Sequence, residues 1–351
     1  MPANRVRNKG KTNMKKALLG VALAAALGLT ATAAFADTLA DIKARGHLLC
    51  GVSEGTAGFE TPDANNEWSG IDVDYCRAIA AAIFNDPKAV RFVTSNSTVR
   101  WQQLGAREVD ILARTSTWTM TRDTTLGLTF VAPIFYDGQG FMVQKKTGIT
   151  TALELGGATL CIEAGTTTEL NAADYFAANS LEYNPVTFVT QDEAYKAYEE
   201  GRCDAFTTDR SALAGNRLLL AVRDDHVVLA EVISKEPLSS VVRQGDDLWL
   251  KIARWVFNAQ LEAEELGVSS ANVDEMLASE NPGIRRLLGV EGDFGTPMGL
   301  TKDWAYQIIK HVGNYAEIFD KNVGAGSPIG LARGVNALWK DGGIQYSPPI
   351  R

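Results

Sequence analysis

Val109-Asp-Ile-Leu-Ala-Arg-Thr-Ser-Thr-Trp-Thr-Met-Thr-Arg122 reads as a short apolar strand running out into a hydroxyl-rich turn that closes on an arginine. Two other stretches share its design. Gly165-Thr-Thr167 is a glycine turn at the mouth of an expected helix, behind a strand ending at Ile162. Asp204-Ala-Phe-Thr-Thr-Asp209 is a strand that delivers a carboxylate. Binding sites in α/β sheets lie at the carboxyl ends of strands, and all three stretches obey that rule. A guanidinium fork and threonine hydroxyls suit a carboxylate, whereas an aspartate suits an ammonium. Together they complement a zwitterion, and no obvious catalyst accompanies them.

Working outward, 48–52 is a strand. Cys76, Ile79, Ala80, Ile83 and Phe84 recur at helical spacing, Asn85-Asp-Pro87 stops that helix, and 89–93 is the next strand. A helix over 99–104 leads into the strand 109–113. Such alternation indicates a parallel sheet covered on both faces. The pattern restarts after Phe141, with strands at 159–162, 186–189, 205–207 and 227–229 and helices at 168–179, 191–199 and 211–220. Beyond Ser234 only helices are expected, over 248–266, 273–278, 304–319 and 331–339. The first stretch falls in one α/β unit and the other two in a second, so a ligand touching all three sits between units.

Residues 1–36 combine six basic residues and no acid with an alanine-rich apolar run and Ala34-Phe35-Ala36, a small-x-small cleavage site. They are expected to be a signal peptide, with Met14 an alternative start. Without them the chain keeps 28 basic against 42 acidic residues, a formal −14. That charge argues against nucleic acid or anionic membrane surfaces as partners. No later stretch reads as a membrane span, so the mature chain is expected to be exported without direct membrane insertion. Cys50, Cys76, Cys161 and Cys203 lack metal or redox spacing. An even count in an oxidising compartment favours disulfides. Proximity and the division into units favour Cys50–Cys76 and Cys161–Cys203, with four buried thiols as the alternative.

These stretches, with Cys50-Gly-Val-Ser-Glu54, Ser69-Gly-Ile-Asp-Val-Asp74, Thr117-Trp-Thr-Met-Thr-Arg-Asp123, Gly165-Thr-Thr-Thr-Glu169, Phe206-Thr-Thr-Asp-Arg210 and, in the tail, Glu264-Glu-Leu-Gly-Val268, Gly313-Asn-Tyr315 and Gly324-Ala-Gly-Ser-Pro328, carry a resemblance. The chain resembles the periplasmic solute-binding proteins of polar amino acid ABC transporters, in particular the general L-amino acid-binding group of alphaproteobacterial uptake systems. The resemblance implies an α/β, two-lobed periplasmic-binding-protein fold of type II with two crossover hinge strands, near 140–145 and 230–235, and a helical C-terminal extension. It divides the chain into lobe one (37–141 and 234–351, the latter carrying the extension) and lobe two (142–233). It also implies an L-amino acid ligand, an inner-membrane ABC permease as partner, and the periplasm as location. Arg122 would hold the α-carboxylate with Thr115, Thr117, the Gly165 turn and the Thr167 amide, and Asp209 would take the α-ammonium. No cofactor or metal is implied. Ser53 and Thr56 are small and neutral where relatives selective for charged side chains often differ, so a permissive pocket is expected. Glu54, Trp68, Asn96 and Arg114 are candidates for its side-chain end.

Plainer readings stand beside these. Arg122 could pair with Asp123 or Glu154 at the surface, and Asp209 could cap the helix that follows it. Thr166 with Glu169 has the spacing of a capping box, and the free amides of such a helix start would still favour an anion. Asp72 and Asp74 suit the positive end of their helix, and Trp118 is either a surface aromatic or a wall over the ligand. A rival from another class is a cyclohexadienyl dehydratase-like enzyme on the same fold, for which Glu169 is the nearest general acid.

Overall fold

The computed structural model describes residues 1–2 and 37–351, and the expected signal peptide otherwise lies outside the described residues. Among the described residues no helix is long and apolar enough to cross a membrane. The chain opens with α1 (Thr38–Arg45) and β1 (Leu48–Val52), then a hairpin of β2 (Thr61–Pro62) and β3 (Trp68–Ser69). α2 (Ile71–Phe84), β4 (Val90–Thr94), α3 (Arg100–Gly105), β5 (Ile111–Leu112), α4 (Met120–Thr125) and β6 (Leu128–Asp137) follow. The next run is β7 (Gln139–Gln144), β8 (Thr159–Glu163), α5 (Thr167–Ala178), β9 (Asn184–Phe188), α6 (Gln191–Glu199), β10 (Ala205–Asp209), α7 (Arg210–Leu219) and β11 (His226–Val228). β12 (Glu236–Arg243) and α8 (Asp247–Glu265) lead to the tail helices α9 (Val273–Met276), α10 (Pro282–Leu287), α11 (Trp304–His311) and α12 (Tyr315–Asn322).

Two five-stranded sheets result, ordered β4-β1-β5-β12-β6 and β11-β7-β10-β8-β9. Each has a parallel core, β4-β1-β5 in one and β10-β8-β9 in the other, extended by antiparallel strands. The sheets are therefore mixed where purely parallel ones were expected. The chain passes between them twice, at 137–139 and over 229–235, the first crossing falling a few residues ahead of the expected one. Both cysteine pairs form, Cys50–Cys76 between β1 and α2, and Cys161–Cys203 between β8 and the turn before β10.

Three expectations for the region beyond Ser234 need correction. β12 is a strand of the first sheet, where helices alone were expected. The single helix expected over 304–319 is two, broken by Gly313 at φ +100°, a conformation open chiefly to glycine. The stretch 331–339 forms short 3-10 turns and no α-helix.

The tail packs its apolar faces mainly onto α2 and α8, which cover the first sheet, and Trp304, Ile308, Tyr315 and Phe319 share one core with Val52, Ile79 and Trp249. It also covers the outer edge of that sheet. β6 is an edge strand, whose unpaired groups would otherwise invite pairing with another chain. The Asn336 amide takes both sides of Tyr136, accepting from its N–H at 2.7 Å and donating to its carbonyl at 2.9 Å. The Tyr315 hydroxyl donates to the Ile134 carbonyl at 2.7 Å, and Arg254 Nε of α8, ahead of the tail, to that of Val131 at 2.9 Å.

Candidate functional site

The carboxyl ends of β1 and β5 face those of β8 and β10 across a narrow cleft of about 60 Å³ that is partly open to solvent. Thr115, Thr117 and Arg122 line one wall, and Thr167 and Asp209 the other. Gly165 does not line the cleft. Its φ of +74° makes the turn, and a Cβ there would lie 3.0 Å from Thr98 of the opposite wall, so it serves as a contact between the walls.

Local structure explains each placement. Thr115 is held at φ +44°, an unusual conformation for a threonine. The buried Asp72 fixes it by accepting from its amide at 2.9 Å, so Asp72 supports the binding turn from the start of α2. Thr119 caps α4, accepting from the Arg122 amide at 3.2 Å. The Arg122 guanidinium donates through Nη1 to the Thr117 carbonyl at 3.0 Å and lies 5.3 Å from the Trp101 ring centroid. It is paired with neither Asp123 nor Glu154. Asp209 stands at the start of α7, yet its side chain accepts no capping bond from that helix. The expected capping box at α5 does not form either. The Thr166 hydroxyl donates to the Glu163 carbonyl at 2.8 Å, and Glu169 accepts from the Gly165 amide at 2.8 Å. That leaves Thr166 without a side-chain cap on the first amides of α5.

The electrostatics of the walls are opposed. Arg100, Arg114 and Arg122 all line the first wall, and Glu163 and Asp209 the second. Burial, then the charges of Arg114 and Arg122, push the Arg100 pKa well below that of a free guanidinium. Asp209 is pushed well above the usual carboxylate range by burial, then by Asp137 and Glu236, with Arg122 opposing. The first wall is thus net positive, three arginines against Glu54, and the second is negative, with Glu163, Asp192 and Asp209, and burial disfavours the ionised forms of Arg100 and Asp209. Glu163 partly relieves the first wall. It accepts from the Ser97 hydroxyl at 2.6 Å, and its carboxylate lies 3.8 Å from Arg114. Among the described residues, Nε of both Arg100 and Arg114 is buried without a partner.

Several expected residues lie elsewhere. Glu54 and Arg114 line the cleft, but Trp68 is buried against Phe92, and Asn96 accepts from the Thr98 and Val99 amides. Trp118 stacks on Phe130 with rings 5.7 Å apart and is not part of the lining. Ser53 and Thr56 do line it and bond each other at 3.1 Å. Arg100 and Arg114 share the lining with these two small residues. Sequence reasoning overlooked Arg100, Glu163 and Glu236. The first two could have been flagged as charges at a helix start and a strand end facing the same cleft.

Two mixed α/β lobes joined by two crossings, with a polar cleft at the strand ends between them, define a type II periplasmic-binding-protein fold. Residues 48–273 match the bacterial extracellular solute-binding proteins, family 3, and the chain belongs to that family. It is 53% identical over 341 residues to the general L-amino acid-binding periplasmic protein AapJ of Rhizobium johnstonii, covering 96% of this chain and 100% of the relative. It is 51% identical over 339 residues to the glutamate/glutamine/aspartate/asparagine-binding protein BztA of Rhodobacter capsulatus, covering 96% and 99%. A solved periplasmic binding protein of an ABC transporter from Brucella ovis, with glutathione bound, matches with a TM-score of 0.88 at 57% identity. That match covers 90% of this chain and 100% of the other.

Proposed function

We propose that this protein captures L-amino acids in the interlobe cleft of the periplasm and delivers them to an inner-membrane ABC permease. The observation that supports this is the placement of the Arg122 guanidinium and the Asp209 carboxylate on opposite walls of one cavity. In this reading lobe one comprises 37–141 and 234–351, lobe two comprises 142–233, Thr115, Thr117 and Thr167 complete the grip, and the Gly165 turn lets the walls meet. The ligand's carboxylate docks on Arg122 and the amides at the start of α5, and its ammonium neutralises Asp209. Contacts made only when both walls meet bias the lobes toward closure. Driving a mostly open population to a mostly closed one takes about 5.5 kcal/mol of differential affinity. Hydrogen bonds to charged groups, at about 1.5–3 kcal/mol each, suffice when both ends of the ligand are engaged.

Arg100 and Arg114 favour side chains ending in a carboxylate or amide, a preference that the Rhodobacter relative's name also carries. The Brucella structure supports a second ligand of the same head group, since the γ-glutamyl end of glutathione bears a free α-ammonium and α-carboxylate. The protein is read as a receptor without catalysis. Glu169, the acid nearest to a dehydratase role, is spent on the Gly165 amide and does not line the cleft. A thermal-shift panel of the twenty L-amino acids, their D-forms and glutathione tests the proposal, because a binder raises the midpoint by mass action. A panel in which no L-amino acid shifts the midpoint refutes it, and turnover of prephenate would reinstate the enzyme.

A further inference from the structure

Glu236 opens β12 at the return crossing, pairs in register with Asp137 across β6, and is 2% exposed. Its side chain collects donors from three parts of the molecule. Oε2 accepts from the Thr117 hydroxyl of the first wall at 2.5 Å and from the Thr167 hydroxyl of the second at 2.9 Å. Oε1 accepts from the Asn171 amide of α5 at 2.6 Å and from the Ser234 hydroxyl of the crossing itself at 2.6 Å. No other side chain described above ties both walls and a crossing together.

A hydroxyl has a single proton. With the Thr117 and Thr167 protons directed to Glu236, only lone pairs remain for the cleft that both residues line. Their hydroxyls, 3.3 Å apart, therefore accept from a ligand and do not donate to it. That places them beside Asp209 in recognising an N–H cation, and leaves the carboxylate to Arg122 and backbone amides. It differs from the expectation that the Thr117 hydroxyl serves the carboxylate.

We propose that Glu236 is a positioning residue that couples closure of the cleft to the orientation of the Thr117 and Thr167 hydroxyls. The inference rests on the L-amino acid reading of the site. Glu236→Met keeps the side-chain length but removes both acceptor oxygens, so the Thr117 and Thr167 hydroxyls lose the group that holds their protons and are free to turn them toward the cleft. Calorimetric titration of the wild type and E236M with L-glutamate and with L-2-hydroxyglutarate tests the idea. The expected result is a tenfold or larger loss for L-glutamate and less than threefold for the hydroxy acid, whose hydroxyl can accept the turned proton. A merely structural role would weaken both ligands equally. Equal losses, or no loss, overturn the proposal. Should E236M fail to fold, Asn171→Leu removes one donor from outside the cleft, with a three- to fivefold loss for L-glutamate expected and wild-type affinity counting against the idea. Wild-type protein that binds no L-glutamate counts against the receptor reading, whereas wild-type binding with both variants unaffected counts against Glu236 alone.

Discussion

The two walls of the cleft are built to opposite specifications. The first presents three arginines on short elements braced by the buried Asp72 and by Trp101, whose ring centroid lies 4.3 Å from the Arg100 guanidinium carbon. The second presents Asp209 and Glu163 at strand ends, with the open start of α5 between them. Either wall alone crowds like charges in partial burial, which costs energy. Brought together they offset each other only in part, through Glu163 and Arg114. The remainder is a matched deficit, a place for an anion on one wall and for a cation on the other, and under the proposed function one zwitterion supplies both.

Removing the cation of the first wall should have the largest effect. Arg122→Ala is expected to weaken every L-amino acid by a hundredfold or more in calorimetry, because two charge-assisted bonds at about 1.5–3 kcal/mol each are lost. Unchanged affinities would show that the walls do not divide the ligand as described. Asp209→Asn, on the second wall, should cost roughly ten- to a hundredfold through one such contact. The loss should be uniform across side chains, so a loss confined to one ligand class would move Asp209 to the side-chain end.

A third variant touches the meeting of the walls and not the ligand. Gly215 lies inside α7, where glycine costs about 0.5–1 kcal/mol relative to alanine. Its reason is closeness: a Cβ there would lie 2.6 Å from Cβ of Ala57 on the first lobe. Gly215→Ala should lower affinity about tenfold while leaving the ligand-free melting temperature equal or higher. A fall in melting temperature with unchanged affinity would mean that the contact does not belong to closure.

The smallest effect is one of pH. The Asp209 pKa is raised in the protein, chiefly by burial. A ligand ammonium favours the ionised form, so the bound pKa is lower and binding releases a proton. Affinity should be flat above the raised free-state pKa and fall by at most tenfold per pH unit below it. D209N should abolish that dependence, and titrations of the wild type and D209N in parallel would reveal a persistent slope.

Much of this was legible in the chain because β5 and β10 end in polar residues immediately after apolar runs, and strand ends are where α/β sheets bind. β12 escaped for a physical reason. Glu-Pro-Leu-Ser-Ser-Val-Val-Arg carries a proline and polar residues that argue against an interior strand. The sheet accommodates them with shifts of register around Ser239. With the strand went Glu236, since nothing local marks a glutamate that is placed by a long-range return crossing. The tail's apolar spacing imitates helix over 331–339, but there it is used to lay short turns along a strand edge. Arg100 was missed among the lining residues because it comes from a helix start that sequence proximity does not connect to Thr117.

The cysteine pairs bridge separations of 26 and 42 residues, each inside one lobe. On a chain-entropy account each link is worth about 3.5–4 kcal/mol of restriction on the unfolded chain. Neither link spans a crossing. Oxidation therefore stiffens each jaw separately and leaves the swing between them unfettered, so a reductant should loosen the jaws long before it alters how far they travel.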